Sequence, residues 1–227
     1  MRGVDTVDEI APDLEDASAE ELLEYVVDRF HPRLYVACSF QKEASVIMDM
    51  LVKIEPSTRF FTLDTGFLFP ETQATWKALE DHYGITVEAA MGISVAEQAR
   101  QHGDELWKRD PDACCGIRKV VPLKERLATV DAWVAGLRRD QSPSRASTPK
   151  LHWDAKHGLW KANPLADWTD RDVWNYIAEN GVPYNSLHDQ GYSSIGCTHC
   201  TLPGAGREGR WAGLEKTECG LHAPASR

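Results

Sequence analysis

The chain has 227 residues, 42% hydrophobic and 26% charged, the composition of an ordinary globular protein with room for one large domain or two small ones. No apolar run reaches the ~18 residues of a membrane span, and the acidic start "MRGVDTVDEIAPDLEDASAEELLEY" lacks the apolar stretch of a secretory signal, so a cytoplasmic location with no membrane partner is expected. The net charge of −10 falls almost wholly in residues 1–28, ten acids against Arg2, and marks residues 1–17 as an acidic arm expected to be disordered.

Ser18 with Glu21 three residues on forms a capping-box start for a helix, with Leu22, Leu23, Val26, Val27 and Phe30 on one face. "RLYVACSF" is a short buried strand, followed by the helix "ASVIMDMLVKI". "TRFFTLDTG" is a second strand running into a glycine turn, and Pro70 and Glu71 open a helix that runs to about His82. "GITVEAA" is a third strand, "SVAEQARQHG" a helix, and "IRKVVPLKERLATV" a further helix with Pro122 early in it. "DAWVAGL" is a fourth strand that enters the polar loop "RRDQSPSRAST". "LHWD" and "LWKANPL" make a β ribbon joined at "AKHG". Thr169 with Asp172 caps the last helix, "DRDVWNYIAENG", which Gly181 stops. Beyond Asp189 only a turn of helix near Trp211 is expected.

Strands alternating with helices imply βαβ units, a mainly parallel doubly wound α/β sheet and right-handed crossovers. Ligands in such folds bind beyond the carboxyl ends of the strands, which selects the loops 39–45, 64–71 and 138–145. In "CSFQKEAS" Ser39, Ser45 and Lys42 join the anion-attracting start of a helix, although the glycines of a Walker A loop are absent. Asp64 and Gly66 in "LDTG" are candidate binding residues; an aspartic protease is excluded because that chemistry needs two carboxylates in one site. "GLRRDQSPSR" places three arginines just after a strand, Arg138 and Arg139 leading, where guanidinium forks suit sulfate or phosphate oxygens. Residues 100–150 carry eleven Lys and Arg against seven acids, but no basic stripe interleaves with aromatics, so no nucleic-acid partner is expected.

Six cysteines in a cytosolic chain point to metal or catalysis before disulfides. Cys38 reads as a small buried residue at a strand end, and most of the eight tryptophans as core, Trp211 excepted. Cys114, Cys115, Cys197 and Cys200 form two pairs, a full ligand set for zinc or for a 4Fe–4S cluster. Adjacent cysteines project in different directions, which strains chelation of one small ion and favours the cluster, one per chain. Lys119, four residues beyond Cys115, is placed to lie beside both metal and ligand. Cys219 stands apart in "KTECGLH", in a polar, glycine-flanked setting unlike a core.

The motifs "CCGIRKVVPL", "GLRRDQSPSR", "NPLADWTDRDVWNYI", "IGCTHCT" and "GREGRWAGLEKTECGLH" together resemble the thioredoxin-dependent assimilatory adenylyl-sulfate reductases, from about Leu34 to His222. The resemblance implies an adenine-nucleotide fold of the PP-loop ATP pyrophosphatase type, with 18–200 as the nucleotide-binding domain and 201–227 as a mobile segment carrying the nucleophile. It implies a 4Fe–4S cluster on Cys114, Cys115, Cys197 and Cys200, and Cys219 as the residue that attacks adenylyl sulfate to give an S-sulfocysteine and AMP. Thioredoxin or a similar dithiol protein then releases sulfite. Lys119, Arg138, Arg139, Arg207 and Arg210 are the candidate counter-charges. His222 is assigned to the substrate, to tuning Cys219, or to packing. The cluster is expected to tune electrostatics and not to donate electrons. A 3′-phosphoadenylyl-sulfate reductase, a zinc-containing ATP-using sulfur transferase and a non-catalytic iron–sulfur sensor are the alternatives. The sequence leaves a homo-oligomer open.

Overall fold

A computed structural model describes residues 14–222. The expected disorder of residues 1–13 lies outside that range, but the end of the arm does not float free. Glu15 accepts the Lys150 N–H at 3.1 Å and pairs with Arg139, while Lys150 Nζ donates to the Ala17 carbonyl at 2.5 Å. The capping box at Ser18 forms: its hydroxyl accepts the Glu21 N–H at 3.1 Å, and the Glu21 carboxylate accepts the Ser18 N–H at 2.7 Å. Such a cap contributes about 1 kcal/mol to its helix.

Helix α1 (Ala19–Phe30) leads to β1 (Leu34–Ala37), α2 (Lys42–Ile54), β2 (Arg59–Leu63), α3 (Pro70–Tyr83) and β3 (Val87–Ala90). Helix α4 (Val95–His102) is followed by two short helices, α5 (Leu106–Arg109) and α6 (Pro111–Cys115), that the sequence pattern did not suggest. Then come α7 (Val121–Leu127), β4 (Ala132–Val134), β5 (Leu151–Asp154), β6 (Leu159–Ala162) and α8 (Asp170–Asn180). The six strands lie in the order β3-β2-β1-β4-β6-β5, all parallel except β5, which runs antiparallel to β6 as the expected ribbon. No helix among the described residues is long and apolar enough to cross a membrane.

Strand alternation sends successive side chains to opposite faces. Leu34 and Val36 join Leu22, Val26, Ile47 and Leu51 in one core under α1 and α2. Tyr35, Phe61 and Trp133 join Leu123 and Leu127 of α7 in the other, and Leu221 near the chain end packs against that second cluster. Each fully buried leucine contributes about 1.5–3 kcal/mol, so the two apolar layers hold the sheet rigid beneath the loops at its carboxyl edge.

Two local expectations are corrected. The helix expected across "IRKVVPLKERL" is interrupted by a π turn, Gly116–Val120, before α7. Pro122 has no N–H to give to the carbonyl four residues back and its ring crowds that carbonyl. The Val121 N–H bonds Gly116 instead, and the widened turn leaves Arg118 and Lys119 buried. No helical turn forms at Trp211, whose φ of 52° and hydrogen bond from its N–H to Cys200 O place it in a left-handed turn. Its side chain is buried, contrary to the exposed setting expected.

Candidate active site

The chain winds from β1 through β2 to β3 on one side and then crosses to β4 on the other. The strand order therefore reverses at the crevice between β1 and β4, the place where open α/β sheets bind ligands. A cavity of about 420 Å³ opens there, walled by Ala37, Cys38, Ser39 and Gln41 after β1 and by Ala135, Gly136, Leu137 and Arg138 after β4. Helix α2 begins at this wall, and Gln41 before it offers no side-chain cap, its Oε1 accepting instead the Ile195 N–H at 2.7 Å. Thr65 and Leu68 of the 64–71 loop complete the floor, and residues 193–197 form a further side.

The basic residues divide into those spent on the scaffold and those left to the cavity. Lys42 is buried against Asp170 at 2.5 Å and does not line the cavity. Arg138 lines it, but its guanidinium donates to Glu43 at 3.0 Å, Asp140 at 2.5 Å and Asp170 at 3.0 Å. Arg139 turns away to the Thr148 carbonyl and Glu15. Arg207, Arg210 and Lys119 all face the cavity. The Lys119 ammonium makes no hydrogen bond or ion pair among the described residues; burial works against its charge, but Cys197 and Cys219 hold its pKa above the usual range. Burial, with Arg145 nearby, lowers the Arg207 guanidinium to about 10. Arg210 donates to Ser194 Oγ at 3.2 Å and Ile195 O at 3.3 Å, and its buried Nε has no partner. Gly196 permits this placement, since a Cβ there would stand 2.3 Å from Arg210 Nη2. The result is a cavity with surplus positive charge and, among the described residues, no carboxylate paired with Lys119 or Arg210.

Cys219 lines the same cavity, half-buried, together with Leu221 and His222. The exposed setting suggested by its neighbours in sequence is thus replaced by a docked one. Glu218 beside it accepts two bonds from Arg145, both at 2.9 Å, and one from Arg207 at 3.0 Å. His222 stacks on Trp133, ring centroids 5.6 Å apart at 14°, and its Nδ1 accepts from Lys161 Nζ at 3.2 Å. Burial, then Lys161, Arg145, Arg207 and Lys156, hold its pKa well below 6.5, so the ring is neutral. Of the loop candidates, Ser39 reaches the cavity, whereas Asp64 and Gly66 shape the 64–71 turn, Asp64 Oδ1 accepting the Gly66 N–H at 2.9 Å, without lining it. Ser45 lies buried in the first turn of α2. Sequence reasoning left out Arg145, although "GLRRDQSPSR" contains it, as well as Lys161 and the Ser193–Ser194 pair, for which the only signal was their position just before "IGCTHC".

A second, smaller cavity adjoins the first through Lys119 and Cys197. Cys114, Cys115, Cys197 and Cys200 all border it, with Arg118 and Trp211. Burial raises the Cys114 and Cys200 thiols and takes Cys115 to about 11. Among the described residues no three His, Cys, Asp or Glu side chains converge to hold a single metal ion. Four thiols spread around a cavity, and not drawn to a point, suit an iron–sulfur cluster, whose irons take their ligands separately. Buried N–H groups without partners, Nε and Nη2 of Arg118 and Nε1 of Trp211, belong to residues on the same wall, and are what sulfide acceptors in that space would satisfy. The residues present fit the group.

The family model described as "Phosphoadenosine phosphosulfate reductase domain" matches residues 33–203. The chain is 45% identical to phosphoadenosine 5′-phosphosulfate reductase of Gloeobacter violaceus, covering 97% of this chain and 96% of the relative. It is 44% identical to adenosine 5′-phosphosulfate reductase 1 of Bacillus subtilis, with 90% of each covered. Among solved structures, phosphoadenylyl-sulfate reductase from Candida auris, in a phosphate complex, superposes with a TM-score of 0.77 at 33% identity, covering 89% of this chain and 98% of that one. The fold alone is shared with FMN adenylyltransferase of Candida glabrata, TM-score 0.57 at 15% identity over 82% of this chain and 63% of that one. A switch-point cavity, a cationic wall and near-complete coverage by these relatives agree: the chain belongs to the phosphoadenosine phosphosulfate reductase family.

Proposed function

We propose that this protein reduces adenylyl sulfate to sulfite and AMP in sulfate assimilation, in the cytoplasm, with Cys219 as nucleophile. The observation that carries the reading is the presence of Cys219 in the switch-point cavity, which the β1 and β4 loops and Lys119, Arg207 and Arg210 also line. Relatives named for both nucleotides are similar to this chain; the resemblance of its cysteine-bearing motifs to adenylyl-sulfate reductases favours the one without a 3′-phosphate.

In the proposed reaction the nucleotide occupies the crevice with its phosphate near the start of α2, where backbone N–H groups and the helix dipole favour anions. The sulfonate points toward Lys119, Arg207 and Arg210. A thiolate and a sulfonate repel each other, so these cations must neutralise charge as the two meet. Cys219 Sγ forms a bond to the sulfonyl sulfur while the S–O bond to AMP breaks, and AMP leaves with the electron pair. The product is Cys219 S-sulfonate. The tail then opens and a dithiol protein of the thioredoxin kind attacks Cys219 Sγ, expelling sulfite. Its second thiol closes a disulfide, restoring the Cys219 thiolate and supplying the two electrons. Residues 212–222 are the segment that moves, since Thr201, Arg210 and Trp211 are already buried in the body. Cys114, Cys115, Cys197 and Cys200 would hold a 4Fe–4S cluster. When bound it supplies a fixed charge beside Lys119, whose side chain borders both cavities.

Incubation with adenylyl sulfate and no thiol tests this. Intact mass should show one SO₃ added, mapped to the peptide containing Cys219 and released as sulfite by thioredoxin. AMP formed without an adduct on Cys219 would overturn the assignment. Preference for 3′-phosphoadenylyl sulfate in direct competition would transfer the reaction to that nucleotide.

A further inference from the structure

The β5–β6 ribbon stands apart from the nucleotide crevice, yet it carries side chains that reach the tail. Lys156, in the turn of the ribbon, donates to the Gly220 carbonyl at 2.5 Å, one residue beyond Cys219. Lys161 on β6 is buried, and its ammonium donates to His222 Nδ1 at 3.2 Å while lying 4.7 Å from the centre of the Trp133 ring. That ring is itself fixed from the ribbon. Asp154 on β5 accepts the Trp133 Nε1–H at 3.2 Å and contacts His157 Nδ1 at 2.9 Å. The tail therefore meets a surface whose cations, ring plane and carboxylate are already positioned, with Leu221 set into the apolar cluster between them.

A buried lysine is costly unless its charge is used. Here Asp154, Glu218, Arg145, Lys156 and His152 stand around Lys161, with burial and the neighbouring cations outweighing the acids, and its pKa is lowered to about 8. Among the described residues its ammonium meets the Trp133 ring and His222. Both also line the switch-point cavity.

We propose that the β5–β6 ribbon is a dock for the C-terminal tail and that Lys156 and Lys161 are positioning residues for Cys219. Lys156 fixes the backbone immediately after the thiol, and Lys161 fixes the histidine that closes the tail against Trp133. Together they determine how far Sγ projects into the crevice and how long it stays there. The inference rests on Cys219 being the nucleophile, but its first readout does not.

The test uses the full chain, as native protein and as Lys156→Met, Lys161→Met and Lys161→Arg. Cys219 alkylation by iodoacetamide, read by peptide mass without substrate, should rise about tenfold in each methionine variant, the worth of one charge-assisted hydrogen bond. Turnover should fall by a similar factor in kcat, with KM for adenylyl sulfate changed less than twofold, and Lys161→Arg should recover most of both. Lys156→Met, in a partly exposed turn, decides the matter if Lys161→Met does not fold. Unchanged protection of Cys219 in Lys156→Met, or a loss confined to KM, would overturn the dock. Increased Cys219 alkylation in the methionine variants, with no sulfonated Cys219 formed in the native chain, would overturn the proposed reaction and leave the dock standing.

Discussion

The cavity has two walls of different construction. The wall at the carboxyl ends of β1 and β4 neutralises its charges internally: Arg138 with Glu43, Asp140 and Asp170, and behind it Lys42 with Asp170. Lys42, Glu43 and Arg138 are buried while Asp140 and Asp170 stay partly exposed, and α2, which carries Lys42 and Glu43, is anchored in the first apolar core and holds a shape. The tail wall is fastened by a handful of polar contacts, Arg145 and Arg207 on Glu218 and two lysines on Gly220 and His222, with Leu221 as its apolar anchor. The difference separates two tasks. A rigid wall keeps the nucleotide in one orientation; a wall held by exchangeable contacts can deliver a thiol and then surrender it to a second protein.

Breaking the rigid wall should have the largest effect. Arg138→Ala leaves the buried Glu43 carboxylate without its cation, a change that costs about 3–5 kcal/mol in comparable buried pairs. Thermal unfolding should show Tm lower by about 10 °C. A loss below 1 °C would mean that this wall is not held by its charges. Breaking the tail wall should leave Tm nearly untouched. Arg145→Ala removes both bonds to Glu218, and steady-state kinetics should give kcat lower by about tenfold, the equivalent of one charge-assisted pair. A Tm loss as large as that of Arg138→Ala would erase the distinction between the walls.

The smallest effect is a pH dependence confined to the tail. His222 sits on Trp133 among Lys161, Arg145, Arg207 and Lys156, with Glu218 the nearest acid on its own segment, and is neutral when docked. Its docked pKa is lower than its free value, so docking is fully present above about 6.5 and weakens as pH falls from there toward the docked pKa, by up to tenfold per unit. Cys219 alkylation, corrected with a free peptide of the tail sequence, should follow that curve and flatten in His222→Asn. A flat curve in the native chain would remove His222 from the latch.

The alternation of strands and helices, the caps at Ser18 and Thr169 and the ribbon at 151–162 were legible because they depend on neighbours a few residues away. Gathering the four cysteines and Cys219 around adjoining cavities was foreseeable from motif resemblance, and the two cavities now give it a geometry. The arginine loop was legible as chemistry but not as direction. Arg138, Arg139 and Arg145 look alike in "GLRRDQSPSR", yet one is consumed by Glu43, one turns to Glu15, and only Arg145 reaches the tail. Lys161 gave no signal at all, being one lysine in "LWKANPL".

The sequence by itself determined the periodicities, the turn residues and the inventory of thiols and cations, since each follows from local backbone and side-chain chemistry. Only the tertiary structure decided which cations remain for an anion, where the π turn aims Lys119, and that the tail lies on the ribbon. Those outcomes depend on partners remote in sequence, whose buried charges must be matched once the chain has folded.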